Sequence, residues 1–189
     1  MCYQEVETEK LYYGFPIVLI GYQDEVNGYN FTTLSSTYSL GDMMTVGIYR
    51  FGCAIEQIKK HGCFTINVPT KSLMKEIEIG GFNSGVDKFE LADLSYTVSK
   101  KINAPIIKDC MVVIECEVTQ IVELDEFSDY SNIVAKIKGR FINETIMGAA
   151  VVAPELLSPV LFVGDAFGRG YRYVDDKMDK LGDFFKKRK

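Results

Sequence analysis

The sequence predicts a mainly β domain, a barrel or sandwich with short helical inserts. Three observations carry this reading. Short β-prone runs recur at close spacing, Asn27-Gly28 marks a tight hairpin, and helical patterning is confined to brief stretches. With 189 residues, 47% of them hydrophobic and 12% aromatic, the chain can bury one sizeable core. We therefore read 1–189 as a single domain with its core at about 14–165 and a tail at 175–189.

The elements follow in order. Pro16-Ile-Val-Leu-Ile-Gly-Tyr22 is an apolar, β-prone run, and Glu25-Val26-Asn27-Gly28 supplies the turn after it. A second strand over 29–34 runs into Thr32-Thr33-Leu34-Ser35-Ser36-Thr37, and a third over 43–49 precedes Arg50-Phe51-Gly52. The chain thus opens as a β-meander. A helix is expected over 53–61, where Ile55 and Ile58 share a face, Glu56 and Lys60 form an i,i+4 pair, and Gly62 ends the run. Phe64-Thr-Ile-Asn-Val68 alternates up to Pro69, which defines a strand. A helix over 72–79 should close at Gly80-Gly81, and 82–94 reads as turn-rich.

The best-defined hairpin pairs 111–124 with 130–142. Val112, Ile114, Cys116 and Val118 point one way, and Glu115, Glu117 and Thr119 the other. On the second strand Ile133, Ala135, Ile137 and Phe141 form the inner face, with Lys136, Lys138 and Arg140 outside. A turn at 125–128 sets Glu115 opposite Lys138 and Glu117 opposite Lys136, pairs worth about 0.2–1 kcal/mol each. The tail at 175–189 has a helical stripe of Met178, Leu181 and Phe185, with its acids first and its bases last, as a helix dipole prefers.

Composition excludes several function classes. A net charge of -5 and a pI near 5.0 argue against nucleic acid as the main partner, and Lys186-Lys187-Arg188-Lys189 reads as a solvated helix end. Glu5, Glu7, Glu9 and Lys10 interrupt any signal-like run, and the apolar stretch at 15–20 is too short to span a bilayer. The expectation is a cytoplasmic protein without a membrane anchor. Five cysteines, odd in number and without CxxC spacing, argue against a disulfide framework or a zinc site. The single histidine, His61, follows Lys59 and Lys60 at an expected helix end, where it reads as a C-terminal cation rather than a catalytic base. Hydrolase triads and zinc hydrolysis drop out, and no metal ligands are assigned.

Neither a dinucleotide-binding GxGxxG nor a P-loop is present. Gly80-Gly-Phe-Asn-Ser-Gly85 lacks the following Lys-Ser or Lys-Thr, and Gly164-Asp-Ala-Phe-Gly-Arg-Gly170 has the wrong spacing. A different phosphate site remains. Thr33-Leu34-Ser35-Ser36 ends one strand, and another delivers Arg50 just before a helix that starts near Cys53. Hydroxyls, an arginine fork and the free N–H groups of a helix N-terminus are devices that hold phosphate. Each also has a plain explanation: the hydroxyl run suits an exposed strand, and Arg50 could pair with a surface acid.

Six segments in order resemble the flavin reductase-like family of FMN-binding split barrels, which includes flavoredoxins. They are residues 16–21, Gly28-Tyr-Asn-Phe-Thr-Thr-Leu-Ser-Ser36, Met44-Thr-Val-Gly-Ile-Tyr-Arg50, Gly62-Cys-Phe-Thr-Ile-Asn-Val-Pro69, Ser84-Gly85 with Asp87-Lys88-Phe89, and Ala104-Pro105-Ile106-Ile107 with the strand through Glu115. The resemblance spans roughly 14–164. It implies that Thr33, Leu34, Ser35 and Ser36 line the isoalloxazine and ribityl side of FMN. Tyr49, Arg50 and Cys53 would then lie by the phosphate, and Ser84, Gly85 and Lys88 would approach from a flanking loop. It further implies a homodimer with the flavin near the subunit interface, and a small redox partner or a nicotinamide nucleotide, NAD(P)H, as electron donor.

Departures are visible too. Asp42-Met43-Met44 replaces the family's Pro-Pro, Cys53 stands where threonine often opens the helix, and the Ser-Gly loop is about two residues shorter. Ser128-Asp129-Tyr130 replaces a Gly-Asp-His that sits near the nicotinamide in the family's reductases. The expected function is an FMN-dependent oxidoreductase of the flavin reductase or flavoredoxin type. Alternatives are an FMN-bearing electron carrier without a nicotinamide site, and a ligand-binding barrel without redox turnover.

Overall fold

The computed structural model describes residues 2–148, 152–179, 181 and 184. Its main sheet has seven antiparallel strands. In spatial order these are β3 (Gly28–Leu34), β2 (Val18–Asp24), β6 (Cys63–Val68), β9 (Val112–Glu123), β10 (Tyr130–Ile142), β5 (Met43–Tyr49) and β4 (Thr37–Leu40). A three-stranded sheet joins β1 (Leu11–Pro16), β11 (Val160–Asp165) and β12 (Arg169–Tyr173), and a ribbon pairs β7 (Tyr96–Val98) with β8 (Pro105–Ile107). The helices are α1 (Cys53–His61), α2 (Met74–Phe82) and α3 (Lys88–Ala92).

Strand β2 sits between two cores, which explains its unbroken apolar run. Val18, Ile20 and Tyr22 face one core with Val46, Ile48, Phe64, Ile133 and the Ala54, Ile55 and Ile58 stripe of α1. Leu19 faces the other, with Phe31, Ile77 of α2, Phe89 of α3 and Val160. A strand buried on both faces loses the period-two alternation of a half-exposed one. Phe31 and Phe89 meet with ring centroids 5.0 Å apart, and burying each ring contributes about 1.5–3 kcal/mol.

Strands β3, β5 and β6 and helix α1 form where the sequence predicts them, and Gly62 ends α1 in the left-handed region. Other expectations are corrected. The apolar run around 16–22 is divided: Pro16 ends β1 in one sheet and Val18 starts β2 in another. Helix α2 runs through Gly80 and Gly81 to Phe82, because a methyl on Gly80 would lie 2.9 Å from the Phe31 ring and collide with Thr33. Close packing of α2 on β3 therefore uses these glycines inside the helix. The stretch 82–94 contains α3, capped by the Asp87 carboxylate, which accepts from the Glu90 N–H at 3.0 Å.

The long hairpin keeps Lys136 opposite Glu117, but an irregularity between Ile137 and Gly139 puts Gly139 opposite Glu115. Lys138 instead reaches Glu117 at 3.1 Å. Glu115 is buried, accepts a hydrogen bond from the Ser99 hydroxyl, and ties the 99–104 segment to the sheet. Beyond the irregularity Phe141 is exposed rather than inner-facing. The helix expected over 175–189 is not formed by 175–179, and most of the remainder lies outside the described residues. Among the described residues no helix is long and apolar enough to cross a membrane.

Candidate functional site

Two clefts at the end of β3 share Thr33, Leu34 and Gly81 in their linings and are taken together as the two parts of a groove. The first part, about 400 Å³, lies between the β2–β3 hairpin, the start of α1 and the 83–88 segment. Helix α1 opens it with its N-terminus. Gly52 is the N-cap and offers no side chain, and the first helical bond runs from the Glu56 N–H to the Gly52 carbonyl. The N–H groups of Cys53, Ala54 and Ile55 have no acceptor among the described residues. That end of a helix carries partial positive charge and free donors.

A cation stands beside it. Lys88 is only 4% exposed, and its ammonium donates to the Gly80 carbonyl at 3.0 Å. Burial lowers its pKa to about 8, with Cys53 and Asp24 pulling it back upward. The Cys53 thiol and the Ser84 hydroxyl lie 3.6 Å apart at the mouth. Asn30 holds the loop in place: its amide donates to the Val86 carbonyl at 2.8 Å, and its oxygen accepts from the Lys88 N–H at 3.3 Å. Asp24 accepts from the Val26 and Asn27 N–H groups at 2.9 and 3.1 Å and from Asn30 at 3.1 Å. Burial would raise its pKa, but these donors, Val26 first, hold it below the ordinary value. Burial, with Asp24 and Cys53 adding, pushes the Tyr22 phenol above its usual range. Tyr22 therefore stays neutral.

The second part, about 600 Å³, lies between α2, the 33–36 segment and the three-stranded sheet. Tyr12, Phe162 and Tyr171 form one wall, with Tyr12 and Phe162 centroids 4.8 Å apart and Phe162 and Tyr171 5.9 Å apart. Ile17, Ile77, Glu78, Phe82, Phe167 and Arg169 complete it.

Of the residues singled out from sequence, Thr33, Leu34, Ser35 and Ser36 line the aromatic part, and Thr33, Leu34, Tyr49, Cys53, Ser84, Gly85 and Lys88 line the cationic part. The Thr33 hydroxyl donates to the Ile77 carbonyl at 2.7 Å, so its proton serves helix packing. Arg50 lines neither part. Its guanidinium pairs with Glu123 at 3.0 Å, and Lys59 holds the other oxygen of that carboxylate at 2.6 Å. Lys59, then Ser131, and also Arg50 hold the Glu123 pKa down. The surface-acid alternative therefore describes Arg50, and Lys88 is the buried cation of the first part.

Sequence reasoning missed Asp24, Asn30 and the whole aromatic wall. Asp24 carried a signal, since an Asp before an Asn-Gly turn commonly binds turn N–H groups. Tyr12, Phe162 and Tyr171 carried none, because they meet only when the two ends of the chain pair as β1 and β11. Burial pushes the Cys110 and Cys116 thiols up to about 12, and among the described residues Cys53 is the cysteine that lines the groove.

Fold and groove define the class: an antiparallel split barrel with a ligand channel along the end of β3. Residues 11–168 match the flavin reductase like domain family, and the chain belongs to it. Membership ties the chain to flavin-related redox function, with a flavin as cofactor. The flavoredoxin of Desulfovibrio vulgaris (Miyazaki F) superposes with a TM-score of 0.85 at 19% identity, over 98% of this chain and 100% of that one. The flavoredoxin of Methanosarcina acetivorans also gives 0.85, at 21% identity over 97% of each chain. The uncharacterized protein YdfE of Bacillus subtilis (strain 168) is 27% identical over 178 residues, 85% of this chain and 86% of that protein.

Proposed function

We infer that this chain is an FMN-binding oxidoreductase of the flavin reductase or flavoredoxin type, with electrons passing through the bound FMN. One observation carries the reading: two clefts adjoin at Thr33, Leu34 and Gly81, one with a buried lysine beside a helix N-terminus and the other walled by aromatic rings. Those are the requirements of a flat ring system on a phosphate tail. The α1 N–H groups, Lys88 and the Ser84 hydroxyl would hold the phosphate. Thr33 and Leu34 would flank the ribityl chain, and Ser35 and Ser36 the ring edge. Bound flavin supplies the electron chemistry, and the chain supplies binding, orientation and access. Asp24 and Glu56 also line this part, and the oxygens of Asp24 are taken by turn N–H groups and Asn30, so the donors left for a phosphate are the α1 N–H groups, Lys88 and Ser84.

Family membership and the exposed Tyr49, Phe51, Phe127 and Tyr130 support a homodimer, with Tyr49 also lining the groove. The same resemblance supports a cytoplasmic redox protein with a small electron donor. A second reading, an electron carrier without its own nicotinamide site, is favoured by one finding. Tyr130, which stands in place of the reductases' histidine, lines neither part of the groove.

The test is a visible absorption spectrum of the purified protein, followed by dissociation constants for FMN and riboflavin. FMN should bind more tightly. Equal affinities would remove the phosphate cradle, and no flavin binding at all would remove the reading.

A further inference from the structure

The aromatic part of the groove extends from Ser35 and Ser36 to the three-stranded sheet. Its far side is built by the β11–β12 hairpin, whose tip presents Phe167 at 88% exposure, and Phe82 of α2, 81% exposed, lines the same cleft. Singly exposed aromatics are ordinary, but two on the rim of one cleft are not accounted for by the fold. The tip is constructed to hold this position. Asp165 accepts from the Phe167 and Gly168 N–H groups at 2.8 and 2.9 Å. Gly164 has φ +113°, and a methyl there would lie 2.9 Å from the Gly168 carbonyl carbon. Next in the chain is Arg169, exposed, lining the cleft, and without an acidic partner within salt-bridge distance among the described residues. On the α2 side Glu78 carries the opposite charge.

We propose that this end of the groove is a binding site for a planar aromatic carboxylate, its ring against the exposed rings of Phe82 and Phe167 and its anionic group on Arg169. Exposed aromatic faces in the lining favour a flat ring. A guanidinium fork at one end selects a planar two-oxygen anion over a neutral group. The proposal depends on the FMN reading only for what occupies the neighbouring 33–36 segment, and it deepens that reading by naming the class of small molecule admitted beside the flavin.

Isothermal titration of 2-naphthoate and of the uncharged naphthalene-2-carboxamide, into both flavin-free and FMN-loaded full-length protein, tests it. The carboxylate should bind about fivefold more tightly than the amide, the scale of an exposed to part-buried ion pair. Arg169→Gln should bring the carboxylate to the level of the amide and leave the amide unchanged. Phe167→Ala should weaken both several-fold. Equal binding of the two probes, or a carboxylate preference that survives Arg169→Gln, overturns the site, as does no binding of either. Naphthoate binding with the stated pattern in a chain that takes up no FMN would sink the flavin reading alone. FMN uptake without naphthoate binding would sink this proposal alone.

Discussion

Replacing Lys88 with methionine separates the phosphate cradle from the fold. The side chain is 4% exposed, and burial takes its pKa from an ordinary 10.5 to about 8. At 1.36 kcal/mol per pKa unit, holding that ammonium charged at pH 7 costs the folded protein about 3 kcal/mol. Methionine fills similar space without the charge. It removes one donor from the Gly80 carbonyl, which the Thr32 hydroxyl still approaches at 3.4 Å. Flavin-free Lys88→Met should therefore be no less stable than the parent. For phosphate the effect runs the other way. A charge-assisted hydrogen bond is worth about 1.5–3 kcal/mol, so FMN affinity should fall roughly 10- to 150-fold while riboflavin affinity stays put.

The pH dependence has a definite sign. The lysine is charged below about 8 in the free folded protein, and the FMN phosphate is largely a dianion above about pH 6. The preference for FMN over riboflavin should hold from pH 7 to 8 and decline as pH rises beyond. Protein stability behaves differently: because the folded-state value is depressed, the cost of charging Lys88 grows as pH falls from 10.5 to about 8 and is constant below. Flavin fluorescence titrations at pH 7 and pH 9.5, with denaturant unfolding at both, provide the measurement. A preference for FMN that is unaffected by Lys88→Met or by pH would refute the placement of the phosphate.

Arg50→Ala should change FMN affinity less than twofold and stability by under about 1 kcal/mol, because Lys59 still holds Glu123; a large loss of FMN would return Arg50 to the cradle. Gly80→Ala should destabilise by about 1–3 kcal/mol despite alanine's helix preference, read as a lower thermal midpoint, since the methyl meets Thr33 and the Phe31 ring. Light scattering should return twice 21.3 kDa, and a monomer that holds FMN tightly would remove the dimer. Under anaerobic stopped flow, dithionite should bleach the flavin band readily and NADH or NADPH only slowly, whereas fast reduction by either would show the histidine replaced by Tyr130 to be dispensable.

Much of this protein is local. Strand β3, strand β5, helix α1 and the register of Lys136 on Glu117 follow from patterns among near neighbours in the chain, where periodicity, turn chemistry and capping act. The hydroxyl segment Thr33–Ser36, Cys53, Ser84 and Lys88 were legible because their neighbours resemble a known order of motifs. What escaped is long-range. No local pattern says that Glu123 sits within reach of Arg50, and that contact alone diverts the arginine from the groove to the surface. No local pattern says that Gly80 faces Phe31, so a helix that two glycines should end continues through them. The aromatic wall exists only once β1 and β11 pair across nearly the whole chain. Residue chemistry is written along the sequence, but the partner that uses up a charge or completes a cleft is chosen by burial and close packing, and those are properties of the folded chain.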